Sequence, residues 1–165
     1  MPQTNLPIPF TQMTPVATTS GTFIDFTNIP SGVKRITVSY SKVQQSGASY
    51  LMVQLAVGGV PVTTGYQSTF ANTGSGGTNS ANITTGFGAW AQNAIDTPSG
   101  SFVITNVGGN QWVYAQSAGL TNGTNFYGCC GGGNITLSGA LTGIRFTTFG
   151  GTNTFTSGEV AVTYE

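Results

Sequence analysis

Apolar and polar residues alternate along most of this chain, and the alternation is clearest between Leu141 and Glu165, LTGIRFTTFGGTNTFTSGEVAVTYE. Ile144, Phe146 and Thr148 point one way while Arg145, Thr147 and Phe149 point the other. Beyond Gly150-Gly151, Val160, Val162 and Tyr164 oppose Glu159, Ala161, Thr163 and Glu165. Side chains of a strand alternate between faces, so each run can bury one face and show the other. Two such runs flanking Gly-Gly-Thr-Asn predict a closing β-hairpin. No run repeats at the 3.6-residue period of a helix, which makes the expected fold all-β.

Earlier segments follow the same rule. Thr22 to Asn28 predicts a strand with Phe23, Asp25 and Thr27 on one face and Ile24 and Phe26 on the other. Ile29-Pro30-Ser31-Gly32 has the residues of a turn. Val33 to Tyr40 directs Ile36, Val38 and Tyr40 inward, and Ala48 to Val57 directs Leu51, Val53, Leu55 and Val57 inward. Gly58-Gly59 and Gly108-Gly109-Asn110 predict two further hairpins. Asn72 to Asn82, NTGSGGTNSAN, and Gly119 to Gly133 are small, polar and glycine-rich, so both are expected to be exposed loops. The sum is about eight to ten strands with turn signals every eight to twelve residues, the pattern of an antiparallel two-sheet sandwich, jelly-roll-like in type.

Residues 1–20 read differently. Pro2, Pro7, Pro9 and Pro15 lock φ and remove ladder donors, which predicts an extended arm ahead of a sandwich domain over 21–165. Leu6, Ile8 and Phe10 alternate with proline or polar residues. They suit either an arm lying along its own domain or one that docks into a neighbouring subunit or another protein.

Composition narrows the functional classes. Charged residues make up 5% of the 165, with four basic and four acidic groups and a net charge of zero. An ordinary globular domain carries about 25%. So few cations exclude a phosphate-tracking basic patch, hence no nucleic acid partner, and they give no grip on anionic lipid. No stretch reaches the ~20 apolar residues of a membrane helix, and the N-terminus lacks the pattern of a secretory signal. A chain made and assembled in a cytoplasm is expected. An isolated neutral surface tends to associate, so much of it is expected to be covered in the working state.

The residues for catalysis are scarce. Without histidine there is no Ser-His or Cys-His arrangement, and the scattered carboxylates offer no obvious glycosidase pair. No metal-ligand spacing appears, so no cofactor or metal is expected. Cys129 and Cys130 are adjacent in sequence and are expected to be reduced thiols. The aromatics remain: Tyr66, Phe70, Trp90 and Tyr127 sit at the edges of the expected loops. Large aromatics usually serve core packing; the alternative is a platform contacting a sugar or a protein.

The segments F-x-x-IPSGVKRITV (Phe26 to Val38), SGASYLMVQL (Ser46 to Leu55), TTGYQS (Thr63 to Ser68) and ITLSGALTGIRFTT…F-x-SGEVAVTYE (Ile135 to Glu165) resemble a β-domain that recurs in tailed bacteriophages, at tail fibres and other virion appendages. The resemblance runs from about Thr22 to Glu165. It implies a non-enzymatic virion protein, commonly a homotrimer, with receptor contact in loops at one end and no membrane insertion. A tail fibre or receptor-binding component is the first expectation; a capsid decoration (cement) or head-fibre protein is the second, and a lectin-like carbohydrate-binding module the third.

Overall fold

The computed structural model describes residues 9–165, and the chain over that range is built of strands. They are β1 (Thr11–Gln12), β2 (Val16–Ala17), β3 (Phe23–Thr27), β4 (Arg35–Gln45), β5 (Leu51–Val57), β6 (Val60–Pro61), β7 (Gln67–Gly74) and β8 (Gly77–Ile83). Then follow β9 (Phe87–Ala89), β10 (Ser99–Gly108), β11 (Gln111–Thr121), β12 (Phe126–Thr136), β13 (Leu141–Thr148) and β14 (Phe155–Tyr164). A larger, nine-stranded sheet runs β1-β14-β4-β10-β11-β12-β7-β8, with β2 also on β14. The smaller, five-stranded sheet runs β3-β13-β5-β6, with β9 also on β5.

Eight of these strands make a jelly roll, β2-β14-β4-β10 in one sheet facing β3-β13-β5-β9 in the other. Two hairpins are inserted into it, β7-β8 before β9 and β11-β12 before β13, and they join edge to edge through β12 and β7. The larger sheet thereby extends well past β10. The described residues hold fourteen strands rather than eight to ten, because the short β1 and β2 carry no alternating pattern and both expected loops are largely strand.

That is the main correction to the sequence reading. Thr73 and Thr78 hydroxyls pair at 3.0 Å, and Thr69 donates to Asn82 at 2.9 Å, across the β7-β8 ladder within the segment expected to be loop. A strand needs partners for its backbone more than apolar side chains, and β12 supplies one side of this hairpin. Gly119 to Gly133 likewise lies almost wholly in β11 and β12, leaving 122–125 as the turn.

The predicted closing hairpin is corrected as well. β13 and β14 face inward as expected, but they lie in different sheets: β13 pairs with β3 and β5, β14 with β4. Residues 149–154 therefore cross the gap between layers, about 10 Å in a sandwich. The other two hairpins form as expected. Gly58 and Gly59 both have positive φ, 59° and 80°, as the tight turn between β5 and β6 requires.

Inward side chains of the two layers fill one core. Ile36, Val38 and Tyr40 of β4, Phe102 and Ile104 of β10 and Val160 and Val162 of β14 meet Leu51, Val53 and Leu55 of β5 and Ile144 and Phe146 of β13. In β4 the inward set jumps from Tyr40 to Val43, since a bulge at Lys42, φ 50°, opposite Gly158 adds a residue to the alternation. A second cluster of Met52, Phe70, Ile83, Trp90, Leu120 and Cys129 lies under the inserted hairpins.

Of the N-terminal arm, residues from Thr11 onward lie along their own domain. Thr11 and Gln12 pair with Tyr164 and Thr163, and Ala17 with Glu159. Thr18 donates its backbone N–H to Gly158 O at 2.9 Å and its hydroxyl to Ser157 O at 2.7 Å. Leu6 and Ile8 lie outside the described residues. Phe10 is 68% exposed, beside Arg35, Val103 and Tyr164.

Candidate functional site

The aromatic residues singled out from the sequence do not form one platform. Tyr66, Phe70 and Trp90 are 1%, 1% and 5% exposed, so no ring face of theirs is open to a ligand. Phe70 fills the space above Gly88, stands edge-on to Tyr50 at 4.9 Å, and closes the second apolar cluster with Trp90. They looked like loop-edge residues because the segments around them were read as loops.

Tyr66 has a structural task. Along its outer edge β5 pairs with β9 as far as Val53 and with β6 from Ala56, leaving the Leu55 N–H between the two ladders. The Tyr66 hydroxyl accepts that N–H at 2.7 Å. Tyr66→Phe is expected to destabilise the chain by about 1–3 kcal/mol, because it strands a buried donor. Urea denaturation would measure this, and a change below about 0.5 kcal/mol would contradict the assignment.

Tyr127 alone among the four is partly open. It lines a groove of about 450 Å³ on the larger sheet with Lys42, Ser99, Leu120, Thr121 and Phe126. Phe126, 71% exposed, stands at its rim. The floor is Gly119 and Gly128, paired across β11 and β12, where an added Cβ would meet nothing within 4 Å.

A more elaborate groove of about 520 Å³ lies on the outer face of the smaller sheet. Strand register builds its floor. Asp25, Arg145 and Gln54 stand side by side across β3, β13 and β5, and Phe23, Thr147 and Met52 make the next row. Arg145 donates Nε to Asp25 Oδ1 at 2.7 Å and Nη2 to Oδ2 at 2.8 Å. Its guanidinium carbon lies 3.8 Å from the Phe23 ring centre. The paired carboxylate raises the Arg145 pKa further above its already high value.

Outward residues of an exposed sheet face are normally wet, yet Met52, Gln54 and Thr147 are 3%, 6% and 4% exposed. The segment between β8 and β9 covers them: Gln54 Nε2 donates to Thr85 O at 2.9 Å, and Gly86 packs on Met52. The opposite wall is the crossing after β13. There Phe149 N–H donates to Tyr50 O at 2.8 Å and Ser49 donates its hydroxyl to Phe149 O at 2.7 Å. Phe23 and Phe149 are 47% and 44% exposed.

The sequence placed Asp25 and Arg145 on outward faces without joining them. The missed signal was that an acid and a base, two of only eight ionic residues, each lie inside a strand.

Cys129 and Cys130 are free thiols on opposite faces of β12, the first buried and the second exposed. Burial pushes the Cys129 thiol up to about 11, with the Asp96 charge adding to it. Among the described residues no three His, Cys, Asp or Glu side chains gather as a metal site would require, and no helix is long and apolar enough to cross a membrane.

The outer face of the larger sheet has its own character. One register row runs Ala161, Ser39, Ser101, Ser117, Cys130, Ala71, Ser80 across seven strands. The next runs Thr163, Thr37, Val103, Ala115, Gly132, Thr69, Asn82. Neither row holds a charge or a large side chain. Strands stand about 4.8 Å apart, so this is an uncharged platform of small side chains roughly 30 Å wide.

No protein-family model, no curated protein and no solved structure matches the chain.

Proposed function

We propose that this chain is a non-enzymatic structural component of a bacteriophage particle, a tail-fibre or receptor-binding protein that assembles as a homotrimer. The observation that carries the reading is the uncharged, small-residue platform of the larger sheet. Charges strongly resist desolvation at an interface, and a face without long side chains loses little rotamer entropy when covered. Such a face suits close packing against a neighbouring subunit. The resemblance to virion β-domains noted above points the same way, and assembly in a host cytoplasm agrees with two free thiols.

In this reading the residues ahead of Thr11 attach the chain to other virion proteins, and the smaller sheet is the face turned outward. Gold-labelled antibody against the chain, imaged on intact particles, tests the placement. Label at the tail tip or fibres supports the proposal. Label spread over the head would replace it with capsid decoration, which needs the same platform to lie on coat subunits. No label on any particle would overturn both.

A further inference from the structure

We infer that the groove on the smaller sheet is a binding site for a neutral saccharide unit. Its polar groups are complementary to sugar hydroxyls and are held in place before any ligand arrives. Gln54 has its Nε2 committed to Thr85 O, which fixes the carboxamide plane. Its Oε1 has no hydrogen-bond partner among the described residues and is left as an acceptor at the floor. Arg145 has its Nε and Nη2 committed to Asp25, which leaves the Nη1 hydrogens as donors. Gln54 and Arg145 are direct cross-strand neighbours, whose Cβ atoms lie about 5 Å apart. An acceptor and a donor so spaced fit vicinal hydroxyls, each of which both donates and accepts. Thr63 and Thr85 add hydroxyls at the rim.

The apolar part of the site fits the same ligand. Phe23 has one ring face against the Arg145 guanidinium, and it and Phe149, both in the lining of the groove, remain about half exposed. The C–H face of a pyranose carries slight positive charge and packs on the negative face of an aromatic ring. Charge decides against an anionic sugar. Asp25 already neutralises Arg145, no other ionic residue lines the groove, and a ligand carboxylate would have to displace Asp25. The volume, about 520 Å³, lies within the range of small-molecule sites, about 300–1,000 Å³.

The identification deepens the proposed receptor-binding role by naming its ligand class. Only the biological source of the sugar rests on that role, since binding by the purified chain can be measured without particles. The test is a titration of the isotope-labelled full chain with maltotriose, triacetylchitotriose and lactose, with 3′-sialyllactose as an anionic comparator, followed by amide and side-chain NMR shifts. At least one neutral probe is expected to shift the Gln54 carboxamide, Thr85 and Phe149 signals. Gln54→Met, close in volume, is expected to weaken that binding about tenfold, the loss of one well-placed hydrogen bond. Thr63→Ala and Phe149→Ala change exposed rim residues with little cost to folding, and the second is expected to weaken binding similarly. The inference is overturned if no neutral probe shifts these signals at tens of millimolar, if shifts gather instead at Phe126 and Tyr127, if only 3′-sialyllactose binds, or if both Gln54→Met and Phe149→Ala bind like the parent. None of those results bears on where the chain sits on a particle, which the labelling experiment decides separately.

Discussion

Replacing Gly133 by alanine is expected to lower the unfolding free energy by about 3 kcal/mol or more, while Gly128→Ala in the same strand changes it by less than about 1 kcal/mol. A Cβ on Gly133 would be driven into the backbone carbonyl of Gln67 on β7, with Ser68 Cα of the same peptide unit 3.0 Å away. Neither atom belongs to a flexible side chain, so relief requires β12 and β7 to separate. That ladder joins the two inserted hairpins, and the second apolar cluster beneath it would open. Gly128 faces open space, where alanine also limits the unfolded chain and can even stabilise by about half a kcal/mol. Urea denaturation of the two variants measures the contrast. With a slope of about 1–3 kcal/mol per molar for a small protein, the Gly133 variant should lose a molar or more in midpoint. Equal midpoints would mean that β12 does not run against β7 as described.

Alkali is expected to unfold the protein steeply. Burial raises the pKa of the Tyr40, Tyr66 and Tyr114 phenols, partly offset by hydrogen bonds from Gln116 and Leu55 and with Ser68. Cys129 is pushed up to about 11. The sign follows from proton counts. Above the ordinary pKa of each group the unfolded chain releases a proton that the folded chain keeps, so stability falls as pH rises. The stabilisation is complete below about pH 8.5, where an ordinary thiol is still largely protonated. It erodes first through Cys129 and then, above about pH 10, by up to about 1.4 kcal/mol per pH unit for each buried phenol. Against a total of about 5–15 kcal/mol, the Tyr40 and Tyr66 phenols together remove about 5–7 kcal/mol over two to three units, enough to unfold a chain at the lower end of that range, and Tyr114 acts in the same direction. Denaturation midpoints from pH 7 to 12 check this, together with tyrosinate absorbance. Three of the six tyrosines should ionise only as the fold is lost. A midpoint that stays level to pH 11.5 would contradict it.

Face assignments were legible in the sequence because alternation is local. Ile36, Val38 and Tyr40, Leu51, Val53 and Leu55, and Val160 and Val162 all point into the core as their spacing predicts. Beyond the hairpins at Gly58-Gly59 and Gly108-Gly109-Asn110, strand partners were not legible, since pairing is decided by chain segments far apart. The turn residues Gly150-Gly151 are equally compatible with a hairpin and with the crossing between sheets that actually occurs. Glycine misled for a related reason. In Gly131-Gly132-Gly133 it reads as loop, but Gly131 and Gly133 leave room for Phe70 and for the β7 backbone.

The candidate site was legible only in part. Tyr66, Phe70 and Trp90 were visible as aromatics, while their burial depends on strands hidden in polar sequence. The smaller-sheet groove was written in single positions, Asp25, Gln54 and Arg145, whose adjacency exists only once β3, β13 and β5 are in register. Its walls come from the segment before β9 and the crossing after β13, neither of which carries a motif.

The most direct measurement of the particle reading is quantitative mass spectrometry of gradient-purified phage whose genome encodes this chain. The account predicts that the chain copurifies at a fixed ratio to the coat protein, in copies that are a multiple of three. Its absence from particles, with the chain instead found free as a monomer that turns over a substrate, would contradict that account outright.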